Sequence, residues 1–240
     1  MTSTPQLDGR VAIVTGGSRG IGLATASALL SLGARVAITG RSTPHLKEAA
    51  TRLQGGDHVL SVQADVSREA DVDRLVTETV DKFGGLDILI NNAGVGRFAN
   101  VADLATEGWN SIIETNLTGV FLCCRAAIPH LKRRGGGWII NISSLAGRNP
   151  FAGGAAYCAS KAGLNAFTES LMLETRYDNI RVSVIMPGSV QTGFGGNESA
   201  GADWKLLPED VAQVVTDLIS HPARSLPSKV ELRPSKPKQR

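Results

Sequence analysis

Short aliphatic runs alternate with longer amphipathic stretches along the whole chain, and this alternation leaves few folds open. The runs fall at residues 11–14, 36–38, 59–62, 86–90, 138–142, 180–185 and 230–232. Segments this short and this uniformly apolar suit strands covered on both faces, as in a parallel sheet. The stretches between them carry helical spacing. Val72, Leu75, Val76 and Val80 mark one apolar stripe, with Ser67 placed to cap the helix and Glu69 and Asp71 near its positive end. Pro208, Glu209 and Asp210 open another, whose inner face is Val211, Val214, Val215, Leu218 and Ile219. Two longer helices are expected over residues 101–133 and 155–176. Repeated βαβ units with right-handed crossovers predict an α/β fold: a single doubly wound Rossmann-type domain spanning residues 1–240, with a seven-stranded, mainly parallel sheet flanked by helices.

Composition agrees with a soluble globular chain. Hydrophobic residues make up 42%, charged residues 20% and aromatics 5% of 240 residues, enough to bury a substantial core. A formal charge of +3 is too small to point to nucleic acid. The first ten residues lack a signal-peptide apolar region, and no later stretch approaches the uninterrupted apolar length of a spanning helix. The expectation is a cytoplasmic protein with no membrane or nucleic-acid partner. Cys123, Cys124 and Cys158 are odd in number and lack ligand spacing, and His45, His58, His130 and His221 are scattered, so neither a disulfide nor a metal site is expected. Arg233, Lys236, Lys238 and Arg240 make residues 233–240 a basic tail, read as solvated.

The first strand runs directly into Gly16, Gly20 and Gly22, followed by a helical pattern of Ile21, Ala24, Ala28 and Leu32. Such a turn lets backbone approach a pyrophosphate and aims free N–H groups and the helix dipole at it. The spacing G-x-x-x-G-x-G departs from G-x-G-x-x-G, and taken alone it also fits an ordinary strand-to-helix connection. An acidic residue would be expected at the end of the second strand for a ribose 2′-hydroxyl. Arg41 stands there instead, and with Arg19 it can grip a 2′-phosphate, which favours NADP(H) over NAD(H) unless both are plain surface residues.

Further along, Tyr157 and Lys161 are four apart, with Ser144 thirteen residues before the tyrosine. On a helix, positions i and i+4 share a face, so the lysine ammonium would favour ionisation of a phenol whose ordinary pKa is about 10. Hydride transfer to a carbonyl builds charge on oxygen, and hydroxyl donors from Tyr157 and Ser144 would stabilise it.

Residues 15–22, Asn91 to Gly94, Asn116, Ser143 and Ser144, Tyr157-x-x-x-Lys161, and Pro187 and Gly188 occur in an order that resembles the short-chain dehydrogenase/reductase family. The resemblance covers roughly residues 8–220. It implies that Tyr157 is the acid/base, that Lys161 lowers its pKa and holds the nicotinamide ribose, that Ser144 binds the substrate oxygen, and that Asn116 holds a water in a proton relay. It further implies coenzyme contacts from Gly16, Ser18, Arg19, Gly20, Ile21, Gly22, Arg41, Asp65, Val66, Asn92, Ala93, Gly94, Tyr157, Lys161, Pro187, Gly188, Val190 and Thr192. For Asn91, Asn92 and Asp65 a purely structural turn role remains open.

Residues 193–207 occupy the place of the family's substrate loop, and Phe151, Phe194 and Trp204 are candidates for an apolar wall, with Val95 and Leu145 close to the motifs. The general look is that of 3-oxoacyl-acyl-carrier-protein reductases and other NADPH-dependent carbonyl reductases acting on a small carbonyl or alcohol. The charged C-terminal tail departs from the glycine pair many of the former carry after the last strand. The resemblance also implies a homodimer or homotetramer in which the two long helices form an intersubunit bundle, with Phe121, Cys123 and Cys124 on its apolar face. An NADPH-binding regulator without turnover is the alternative, because fold alone does not imply catalysis.

Overall fold

The computed structural model describes residues 6–194 and 203–237. The strands are β1 (Val11–Thr15), β2 (Arg35–Gly40), β3 (Val59–Gln63), β4 (Ile88–Asn91), β5 (Gly137–Ile142), β6 (Ile180–Pro187) and β7 (Lys229–Leu232). The helices are α1 (Gly20–Ser31), α2 (Thr43–Leu53), α3 (Glu69–Phe83), α4 (Thr106–Ile113), α5 (Gly119–Arg133), α6 (Ala155–Thr175) and α7 (Pro208–Ser220). The sheet order is β3-β2-β1-β4-β5-β6-β7, and every pairing is parallel. The order reverses between β1 and β4, which opens a crevice at the carboxyl ends of those strands.

Side-chain alternation splits the core into two layers. Ala12 and Val14 of β1, with Ile88 and Ile90 of β4, face α1 and α7, where Leu29, Val211, Val215 and Ile219 are buried. Ile13, Leu89, Ile139 and Val182 face the other way, onto Val72, Leu75 and Val76 of α3, Leu131 of α5 and Leu164 of α6. Because both faces of the sheet centre are covered, β1, β2 and β4 are buried almost throughout and read as aliphatic runs, whereas the edge strands β3 and β7 are partly exposed and mix in polar residues.

Three local expectations are corrected or refined. The helix expected over residues 101–133 starts later, after a 3₁₀ turn at Val101–Asp103, and runs from α4 into α5 through a π turn at Glu114–Thr118. The wider π turn carries the fully buried Asn116, whose amide finds partners outside the helix. Ser67 does not cap α3: Arg68 holds that position without a side-chain bond, and the Ser67 hydroxyl donates instead to Asp65 Oδ1 at 2.7 Å. A carboxylate two residues back outcompetes the helix end for this hydroxyl. Finally, an 18-residue window within Thr106–Arg133 reaches a mean hydropathy of 1.3, apolar enough to cross a membrane by length and composition although it lacks the uninterrupted apolar run that the sequence criterion requires. In the fold, its Val120, Leu122, Cys123, Cys124, Ala127 and Leu131 are spent on the core.

Candidate active site

The glycine turn closes over β1 and β4. Gly16 and Gly20 take φ of +64° and +53°, and a Cβ on Gly22 would lie 2.3 Å from the Gly16 carbonyl oxygen, so a side chain there would force the turn apart. Asn92 Nδ2 donates to the carbonyls of Thr15 (2.9 Å) and Gly16 (3.2 Å), while the amides of Asn92 and Ala93 both donate to Thr15 Oγ1 at 3.0 Å. Thr15 and Asn92 therefore pin the turn to the neighbouring strand. The start of α1 has neither a side-chain cap nor an acid in its first turn. Its orphan N–H groups and positive dipole end fit an anionic pyrophosphate.

Around this cradle lie the other coenzyme candidates. Ser18 approaches Gly40 at the end of β2, which places Arg19 and Arg41 at one edge, and neither guanidinium has a partner among the described residues. Asp65 Oδ1 is engaged by the Ser67 amide and hydroxyl, and the Val66 side chain turns into the core against Gly119. On the far side, β6 ends at Pro187, Val190 bridges to Leu206, and Thr192 leans on the turn, its Cγ2 3.2 Å from where a Gly20 Cβ would be. The residues present fit a dinucleotide bearing an extra phosphate.

The four catalytic candidates meet at the carboxyl end of β5 and the first two turns of α6. Lys161 is almost wholly buried and its Nζ donates to the Ile142 carbonyl at 2.9 Å, lying 5.9 Å from the Tyr157 ring centroid. Burial alone pulls its pKa down to about 8. The Tyr157 phenol is pushed up, first by burial, while the Ser144 side chain pulls it back. Ser144 Oγ also accepts from the Ala146 amide at 3.1 Å, which orients it at the mouth of the following turn. Asn116 Oδ1 accepts from the Val95 amide at 2.8 Å, and its Nδ2 donates to the Val95 carbonyl and to Ser160 Oγ at 3.0 and 3.1 Å. Ser160 in turn donates to the Tyr157 carbonyl at 2.7 Å. A Cβ on Gly94 would sit 3.4 Å from Asn116 Oδ1 and 3.9 Å from Lys161 Nζ, so these two groups border one spot.

A cavity of about 460 Å³ opens from Ser144 and Tyr157, walled by Leu145, Phe151, Trp204, Pro234 and Pro237. Phe151 and Trp204 thus stand where the sequence placed an apolar wall, and Phe194 packs on Tyr157 with ring centroids 5.7 Å apart. Phe98 completes this aromatic fringe, 5.7 Å from both Phe151 and Tyr157. Most of the loop at residues 193–207 lies outside the described residues. Sequence reasoning missed Phe98, the bracing roles of Thr15 and Ser160, and the tail. Ser160 was within reach, being one position from Lys161 on the same helix. The tail was expected to be solvated; Arg233 and Pro237 are exposed, but with Pro234 they also form part of the cavity wall, while residues 238–240 lie outside the described region. Cys123 and Cys124 do not sit on an apolar outer face: both are buried, which pushes their thiols up to about 12 and well beyond the usual range respectively. Phe121 is the exposed member of that trio.

The short chain dehydrogenase family matches residues 10–203. A 3-oxoacyl-[acyl-carrier-protein] reductase of Synechocystis is 36% identical over 90% of this chain and 92% of its own length. An uncharacterized oxidoreductase of Staphylococcus haemolyticus is 34% identical over 95% of this chain and 99% of its own. Among solved structures, an alcohol dehydrogenase from the archaeon Thermococcus sibiricus complexed with 5-hydroxy-NADP superposes with a TM-score of 0.88 at 30% identity, covering 96% of this chain and 99% of that one. A metagenomic short-chain oxidoreductase in complex with NADP gives 0.85 at 39% identity, covering 96% and 100%. With the all-parallel sheet, the glycine turn at its switch point and these matches along nearly the full length, the chain belongs to the short-chain dehydrogenase family of oxidoreductases.

Proposed function

We propose that this protein is an NADP(H)-dependent oxidoreductase that interconverts a ketone or aldehyde and the corresponding alcohol. The observation that carries the reading is that Ser144 and Tyr157 line one cavity while the buried Lys161 amine lies 5.9 Å from the Tyr157 ring centroid. When bound, the coenzyme would supply or accept the hydride. Gly16, Ser18, Arg19, Gly20, Ile21 and Gly22 would hold the pyrophosphate side, with Arg19 and Arg41 taking the 2′-phosphate. Asp65 and Val66 would meet the adenine, Asn92, Ala93 and Gly94 the adjoining ribose, and Pro187, Gly188, Val190 and Thr192 the nicotinamide side.

The substrate oxygen is held between the Ser144 hydroxyl and the Tyr157 phenol, so charge growing on it meets two donors already aimed at it. Tyr157 gives its proton to that oxygen in reduction and takes it back in oxidation. Burial by itself makes the phenol a reluctant acid. Lys161, with its pKa of about 8, is mostly charged at neutral pH and favours the phenolate from beneath the ring. Bringing a phenol from about 10 to about 7 takes roughly 4 kcal/mol of such preference. Asn116 has spent both amide protons but keeps one acceptor position on Oδ1, facing the spot it shares with Lys161 Nζ, where a relay water would be held.

The test is a panel of diketones, acetoacetyl thioesters, quinones and aldehydes run with NADPH and with NADH, following loss of the reduced coenzyme, with Tyr157→Phe as control. Turnover with NADPH that disappears in the control is expected. Coenzyme binding without turnover on any class would move the protein to the regulatory reading.

A further inference from the structure

The last strand and the residues after it complete the cavity as well as the sheet. The Gly188 amide donates to the Leu232 carbonyl at 2.8 Å, and a Cβ on Gly188 would lie 3.0 Å from Pro234 Cδ. This backbone bond and close packing set Arg233 and Pro234 against the wall that Ser144 and Tyr157 also line. Among the described residues on that wall, Arg233 is the one with a charge; the rest are apolar or neutral.

Its charge is not cancelled locally. Glu231 accepts from Arg233 Nη2 at 2.8 Å and also from Arg148 Nη1, so one carboxylate serves two guanidiniums. The exposed Lys236 follows, and no acid lines the cavity among the described residues. Arg233 offers five N–H donors, of which Glu231 occupies one. Nor is Arg233 needed to fasten the tail, because Gly188, Pro234 and the Arg148 to Glu231 pair already do so. The family match ends at residue 203, so Arg233 and Pro234 lie outside the matched segment.

Building on the oxidoreductase reading above, we propose that Arg233 binds a carboxylate carried by the substrate. The protein then prefers oxo acids, or the matching hydroxy acids, with an apolar body between the reacting carbon and the acid group. The carbonyl lies at Ser144 and Tyr157, the apolar body meets Phe151 and Trp204, and the carboxylate reaches the guanidinium. Because about half of the Arg233 side chain is exposed, water competes for it, and the preference is expected to be about tenfold rather than thousandfold.

The experiment compares an aryl oxo acid with its methyl ester on the full chain with NADPH, in the parent, Arg233→Glu and Glu231→Gln, reading kcat and KM separately. Binding of the acid to the coenzyme-loaded protein is followed in parallel by tryptophan fluorescence. The parent should favour the acid by about tenfold in kcat/KM, chiefly through KM. Arg233→Glu should abolish or invert the acid-to-ester ratio, and Glu231→Gln, which frees guanidinium donors, should raise it a few-fold. A parent that handles acid and ester alike, or a ratio unmoved by Arg233→Glu, overturns the role of Arg233 while leaving the hydride-transfer reading intact. Absence of turnover on both compounds leaves the hydride-transfer reading to the carbonyl panel above, and the inference is then judged by fluorescence: acid binding lost in Arg233→Glu upholds the arginine site, and acid binding unchanged there overturns it.

Discussion

Among the described residues, Asp87 and Lys161 are the charged side chains in the core, one at each edge of the sheet. At the amino edge Asp87 is answered from several sides. Its Oδ1 accepts from Arg10 and Arg134, and its Oδ2 from the Val11 amide and Arg134, with distances from 2.8 to 3.3 Å. At the carboxyl edge Lys161 has one carbonyl and no carboxylate bonded to it. The fully partnered charge locks strands β1, β4 and β5 to the end of α5. The under-partnered one is left close to titration beside an open pocket, as catalytic groups are. Under the proposed mechanism, stability and chemistry sit at opposite ends of the same strands.

The strongest break between the edges should come from Tyr157→Phe. Turnover should fall by about a thousandfold or more, while thermal stability and NADPH binding stay close to the parent, as measured by steady-state kinetics beside thermal melts. Asp87→Ala should do the reverse. Losing a buried carboxylate that holds two arginines and a strand amide should cost about 3 kcal/mol in denaturant unfolding, with kcat per folded molecule unchanged. If Asp87→Ala impaired kcat in the folded fraction, the division between edges would fail.

The pH dependence of stability sharpens the contrast further. Lys161 has a folded pKa of about 8 against an ordinary value of 10.5, so between those pH values the unfolded chain binds the extra proton. Unfolding free energy should therefore rise across that window by about 2 to 3 kcal/mol more in the parent than in Lys161→Met, with no coenzyme present. Parallel curves for the two proteins would show that the amine is not held as described. Arg41→Asp should then shift coenzyme choice by about tenfold from NADPH toward NADH, read as the ratio of kcat/KM values. Equal use of both coenzymes by the parent would remove the basis for that assignment. The smallest effect is expected at the amino edge, where Arg181 lies over the Trp138 ring at 4.4 Å: Arg181→Ala should cost about 1 kcal/mol and leave activity untouched.

The strands and the Tyr157 to Lys161 pairing were legible because each is written in local spacing: unbroken apolar runs for a sheet covered on both faces, and an i, i+4 offset for one helical face. The π turn at Glu114–Thr118 was not, because it is decided by where Asn116 finds partners, and these come from Val95 and Ser160, distant in sequence. Ser67 reads as a cap until Asp65 is seen to claim its hydroxyl. Cys123 and Cys124 share one apolar run with Phe121, and only the packing of α5 on the sheet decides that the cysteines face in and the phenylalanine faces out. Arg233 reads as an ordinary tail charge because its place depends on the β6 to β7 register, which pairs Pro187 with Leu232.

That register also governs where along the chain a change reaches the pocket. With Leu232 bonded to Gly188 and Pro234 resting on it, residues 232–237 are fixed at the rim of the cavity. Leu7, by contrast, is tied to Leu32 at the opposite edge of the sheet. A change within residues 232–237 is therefore felt at the pocket, whereas one at Leu7 is made at the far edge of the sheet.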